Sequence, residues 1–252
     1  MINNIKNFIQ DSLISIKKIT REDVNFSMTF VLISVIILTL DRYGLQTSFS
    51  MNNSWFRSLS NDEIIFWAQV YFSSWNLLLF VIIPVIFHFI FPVRQEVNFG
   101  LRLKGIGKNL WIYMLILIII LPIVWMACND PNFYNFYPMY QPLNLKKWML
   151  YELIYSTNFF CVEFFFRGFI LFRLKERFGS FAVWIMIIPY SFIHIHKPFP
   201  EALGSIVAGI VLGSLALKTK SIWPGVLVHC TVAFSADFFS MIHSGRLFNL
   251  LK

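Results

Sequence analysis

A helix needs about 20 mainly apolar residues to cross a lipid bilayer, and this sequence is built from such runs. They fall at 24–41, 67–91, 110–128, 148–172, 180–196, 201–219 and 223–242. Chain-breaking pairs stand between or beside them: Phe91-Pro92, Asp130-Pro131, Lys197-Pro198, Phe199-Pro200 and Trp223-Pro224. With 57% hydrophobic and only 13% charged residues, the chain cannot form an ordinary water-facing surface. The pattern predicts an all-α, polytopic membrane helical bundle of about seven transmembrane helices. The 252 residues leave no room for a separate soluble domain.

The basic residues lie in small groups between apolar runs, which is a topology signal and not a nucleic-acid-binding face, despite the net charge of +8. Lys6, Lys17, Lys18 and Arg21 precede the first run. Arg94, Arg102, Lys104 and Lys108 follow the second, Arg173, Lys175 and Arg177 the fourth, and Lys218 and Lys220 the sixth. The alternate loops are poorer in Lys and Arg, so the amino terminus is expected in the cytoplasm of a bacterial-type plasma membrane, with the carboxyl terminus outside. Residues 1–20 lack the compact apolar core of a cleaved leader. Ile2, Ile5, Ile9, Leu13 and Ile16 recur at helical spacing and predict an amphipathic helix on the membrane surface. Cys128, Cys161 and Cys230 have no metal-type spacing and read as packing residues.

An ionisable group inside a span costs several kcal/mol unless it is paired or wetted, so each one asks for a reason. Glu163 and Arg167 stand four residues apart, on one helix face, around three phenylalanines. An internal salt bridge is the ordinary reading; dry surroundings also favour large pKa shifts. His194 and His196 end the fifth run, and either imidazole can take a proton near neutral pH. Glu201 opens the sixth run, where a helix dipole favours a carboxylate. Gly204, Ala208, Gly209 and Gly213 behind it predict close helix packing. His229 and Asp237 lie two turns apart in the last run. No His-Glu-x-x-His pattern occurs and the candidate ligands are scattered over several helices, so no metal site is expected. Nothing in the sequence calls for a cofactor.

Over roughly residues 148–242 these features resemble the CPBP family of intramembrane proteases, which includes the CAAX prenyl endopeptidases and bacterial self-immunity proteins. The family has a Glu-Glu-x-x-x-Arg motif, a Phe-x-x-x-His motif and a His-x-x-x-Asn motif on successive helices. The first is matched by Val162-Glu163-Phe164-Phe165-Phe166-Arg167, with Val162 in place of the leading glutamate. The second is read as Tyr190 to His194, or as Phe192 to His196. The third keeps His229 but has Ala233 for asparagine.

Because the ionisable residues of the spans cluster in the last four, the first three helices with the amino-terminal segment over 1–147 read as scaffold, and the resemblance implies a protease core of four helices over 148–252. It implies an endopeptidase that cleaves a membrane-associated peptide or protein, without metal or nucleotide. Glu163, Arg167, His194 and His229 are the expected catalytic residues, with His196, Glu201 and Asp237 as accessory candidates. Two alternatives stay open: a catalytically impaired scaffold or chaperone, because Val162 cannot take a proton and Ala233 cannot donate a hydrogen bond, and a proton-coupled transporter. The sequence has no internal repeat to favour the transporter.

Overall fold

The computed structural model describes residues 10–11, 14, 21–43, 59–90, 99–103 and 106–250. Most of the amphipathic helix expected over the first twenty residues lies outside this set. The described chain is helical. Helix α1 (Arg21–Tyr43) covers the first expected run, α2 (Asn61–Ile90) the second and α3 (Ile106–Ala127) the third. Helix α4 begins at Leu145–Glu163 and continues through a π-helical segment, Phe164–Leu171, into Phe172–Phe178. Then follow α5 (Ala182–Phe192), α6 (Phe199–Thr219), α7 (Trp223–His243) and the short α8 (Arg246–Leu250).

Among the described residues, five helical stretches are long and apolar enough to cross a membrane, so the count of seven is not confirmed. One of the five, Leu145–Phe192, spans 48 residues and holds two of the expected runs. At 1.5 Å per residue it would extend about 70 Å, more than twice the hydrocarbon thickness. The chain turns back at Gly179, where φ is +54°, and Phe166 packs edge-on against Tyr190, 5.2 Å between ring centres. Glycine is favoured at this positive φ because it has no Cβ.

Two compact units interleave along the chain. The first takes Met1–Thr39, Ile83–Ile106 and Glu163–Trp223; the second takes Leu40–Ile82, Gly107–Val162 and Pro224–Lys252. The core of the first unit is the π-helical segment, in which every residue is buried. Phe169 lies 5.0 Å from Phe30 and 5.9 Å from Phe87, ring centre to ring centre. Gly168 lets the backbone of residue 99 approach: a Cβ there would stand 2.6 Å from the Phe99 carbonyl oxygen. On α6, Gly209 and Gly213 meet the side chains of Tyr190, Ile187, Met186 and Val183 on α5, which is the close packing expected of small residues. Arg173, which its sequence position places among the loop cations, is instead buried. Its guanidinium lies over the rings of Phe87, Phe169 and Phe30 and its Nη1 is 3.4 Å from Nδ1 of His88. A long side chain with planar charge can occupy such an aromatic cage.

The second unit combines aromatic packing with a buried polar chain. Tyr140, Trp148, Tyr151, Tyr155 and Met241 form its main apolar cluster. Asn76 Nδ2 donates to Asn158 Oδ1 at 2.9 Å, Asn158 Nδ2 donates to Ser73 Oγ at 2.9 Å, and Ser73 Oγ donates to the Ile154 carbonyl at 3.3 Å. Amides within apolar helices need such partners because lipid offers none.

Gly168→Ala is expected to destabilise the protein by about 1–3 kcal/mol, since backbone must move to admit the methyl group. Gly107→Ala, whose Cβ would meet nothing within 4 Å, is expected to change stability by about 0.5 kcal/mol or less. The denaturation midpoints of the two variants in detergent measure the difference.

Candidate active site

The first unit brings Glu163, Arg167, Tyr190 and His194 together. Glu163 closes the α-helical part of α4 and Arg167 lies in the π-helical segment, where the Phe172 N–H bonds back to the Arg167 carbonyl five residues earlier. The wider turn keeps the four-residue pair in reach: Arg167 Nη1 stands 3.2 Å from Glu163 Oε1, with both side chains almost wholly buried. The guanidinium carbon sits 4.1 Å from the centre of the Tyr190 ring. Charge and π-face attract most strongly where water is excluded.

Tyr190 also touches His194. Their ring centres are 4.8 Å apart, and Nδ1 of His194 is 3.0 Å from the Tyr190 carbonyl oxygen. A carbonyl only accepts, so Nδ1 carries the hydrogen and donates it, which leaves the basic lone pair on Nε2. Helix α5 ends at Phe192, and turns closed by His194 N–H to Ser191 O and Lys197 N–H to His194 O carry the chain to α6. In those turns His194 is buried and His196 exposed. Glu201, in the first turn of α6, stands 3.4 Å from Lys197 Nζ and contributes its field at Tyr190. Its side chain is 27% exposed, against 1% for Glu163.

The second unit holds the remaining candidates. His229 of α7 is half-buried and packs on Phe159 of α4, 4.8 Å between ring centres. Val162 and Ala233, at the two positions where polar residues are expected, are also half-buried, and Ala233 packs on the Tyr140–Trp148–Tyr151 cluster. Asp237 is fully buried and meets Glu152 and Tyr151 of α4 side chain to side chain. Glu152 in turn accepts from Trp148 Nε1 at 2.7 Å.

Sequence reasoning misses Glu152 and Tyr190 as site residues. Glu152 does offer a signal: an acid inside an apolar run, eleven residues or three turns before Glu163. Tyr190 offers only its place in the aromatic-x-x-x-His pattern. No group of three or more His, Cys, Asp or Glu arranged to hold a metal occurs among the described residues.

Removing one partner of a buried ion pair strands the other charge, at a cost of about 3–5 kcal/mol, whereas replacing both by apolar residues is often neutral. Arg167→Met alone is therefore expected to lower the unfolding free energy by about that amount. Glu163→Leu added to Arg167→Met is expected to recover much of the loss, in equilibrium unfolding followed by tryptophan fluorescence.

Residues 144–235 match the family model described as Rce1-like, type II CAAX prenyl endopeptidase. Neither a curated protein nor a solved structure matches the chain significantly. The matched stretch contains Glu163, Arg167, His194, His196, Glu201 and His229 and ends just before Asp237. Over residues 144–235, this integral membrane chain is thus similar to the type II CAAX prenyl endopeptidases that the Rce1-like family model describes.

Proposed function

We propose that the protein is an intramembrane endopeptidase that hydrolyses a peptide bond of a membrane-associated protein or peptide, with His194 as the base. The observation that carries this reading is the bond from Nδ1 of His194 to the Tyr190 carbonyl. With Nδ1 donating to that carbonyl, the neutral ring has its lone pair on Nε2, which supports Nε2 as the acceptor of a proton from water. The attacking water oxygen bonds to the scissile carbonyl carbon while its proton passes to Nε2. The tetrahedral oxyanion then collapses, the C–N bond breaks, and the imidazolium returns the proton to the leaving amine.

Glu201 is the carboxylate we assign to water, since its partial exposure allows water to reach it while Glu163 is held dry by Arg167. In this reading Glu163 and Arg167 position the Tyr190 ring and through it His194. His229 polarises the scissile carbonyl, as the family motif suggests, and residues 148–252 form the core. The substrate side follows the family: a membrane-associated chain, met in a lipid environment.

Val162 and Ala233 favour a second reading, a catalytically impaired relative that holds a client segment without cutting it. Incubation of the purified chain in detergent micelles with a library of membrane peptides separates the two. His194→Ala is expected to lower cleavage by about 10²–10⁴-fold and His229→Ala by about 10²–10³-fold. Ala233→Asn, which restores a donor, is expected to raise it. Absence of cleavage by the unaltered chain and by a Val162→Glu, Ala233→Asn double variant would leave the scaffold reading standing.

A further inference from the structure

The second unit contains a cavity of about 330 Å³ bordered by Pro138, Gln141, Leu143, Met241, Arg246 and Leu250. It lies where the connection from α3 to α4 meets the chain leaving α7, at the boundary between spans and water.

Arg246 is fixed before any ligand arrives. Its Nε donates to Ser244 Oγ at 2.6 Å, and one terminal nitrogen, Nη2, donates both to the Tyr137 carbonyl at 2.6 Å and to the Tyr134 carbonyl. Those bonds use the hydrogens of Nε and Nη2 and leave the Nη1 edge, with its two donors, to serve the cavity. Asp237 is the acidic group in the field of Arg246. It is buried and belongs to the contact with Glu152 and Tyr151 described above.

A preorganised guanidinium and apolar walls in one cavity match an anion carried on a greasy chain. We infer that this cavity binds the phosphate of an anionic phospholipid, with the acyl chain running along Leu143 and Leu250. Nη1 donates a charge-assisted hydrogen bond to a phosphate oxygen, and Gln141 offers its amide at the rim. The site is independent of the peptidase reading, because no candidate catalytic residue borders it.

Native mass spectrometry of the full chain, released from detergent with added phosphatidylglycerol or phosphatidylcholine, tests the inference. Phosphatidylglycerol is expected to stay bound under activation that strips phosphatidylcholine. Gln141→Glu sets a like charge at the rim without touching the bonds of Arg246. It is expected to cut phosphatidylglycerol retention by about threefold to fivefold, the size of an exposed charge contact, with an unchanged unfolding midpoint. Arg246→Gln is expected to remove the preference. Equal retention of the two lipids, retention indifferent to Gln141→Glu, or displacement by inorganic phosphate alone would each overturn the assignment to a lipid.

Discussion

The ion pair between Glu163 and Arg167 is the constraint around which the first unit is built. A guanidinium with no exposure survives among phenylalanines because a carboxylate stands 3.2 Å from it and an aromatic face lies 4.1 Å below. Everything adjoining follows from keeping that arrangement dry. The π-helical turn seats Arg167 and aims Phe164 and Phe169 at their aromatic neighbours. Gly168 admits the backbone of Phe99, and Gly209 allows α6 to close over Tyr190. Tyr190 then presents its ring and its carbonyl to His194. The buried charge and the histidine thus share one aromatic residue, so disturbance of the pair reaches the imidazole without direct contact.

The second unit meets the same constraint in another way. Its spans contain Asn76, Asn158, Ser73, Glu152 and Asp237, all buried. The amides are linked in a chain of hydrogen bonds that ends on a backbone carbonyl, while Glu152 and Asp237 meet beside Trp148 and Tyr151. Polar groups that would be costly alone become specific ties between helices when each finds a partner. At the rim of this unit Asp62 takes both Lys147 and the hydroxyl of Tyr140. Burial, with that contact, holds the Tyr140 phenol well above its ordinary range.

Much of this architecture is legible in the sequence. The length and apolar character of the runs mark the membrane helices, the four-residue spacing of Glu163 and Arg167 marks a pair, and Gly209 and Gly213 mark a close helix contact. What the sequence hides depends on partners distant along the chain. Arg173 looks like a loop cation because its cage comes from Phe30 and Phe87, far back in the chain. Asn76 and Asn158 are polar residues in apolar runs, and only their meeting across 82 positions explains either. A run rich in phenylalanine is compatible with an ordinary helix, so the π-helical turn at Phe164–Leu171 leaves no trace in the pattern. Glu152 is a different case, since it satisfies the very rule that singles out Glu163: an acid within an apolar run needs a partner.

Whether His194 can act as the base depends on which of its nitrogens holds the hydrogen. Nitrogen-15 NMR of the histidine-labelled chain in detergent micelles, with His194 assigned by difference from a His194→Gln sample, reads this directly at neutral pH. The geometry predicts a protonated Nδ1 and a bare Nε2 for His194. A hydrogen on Nε2 with Nδ1 bare would contradict it and remove His194 as the base.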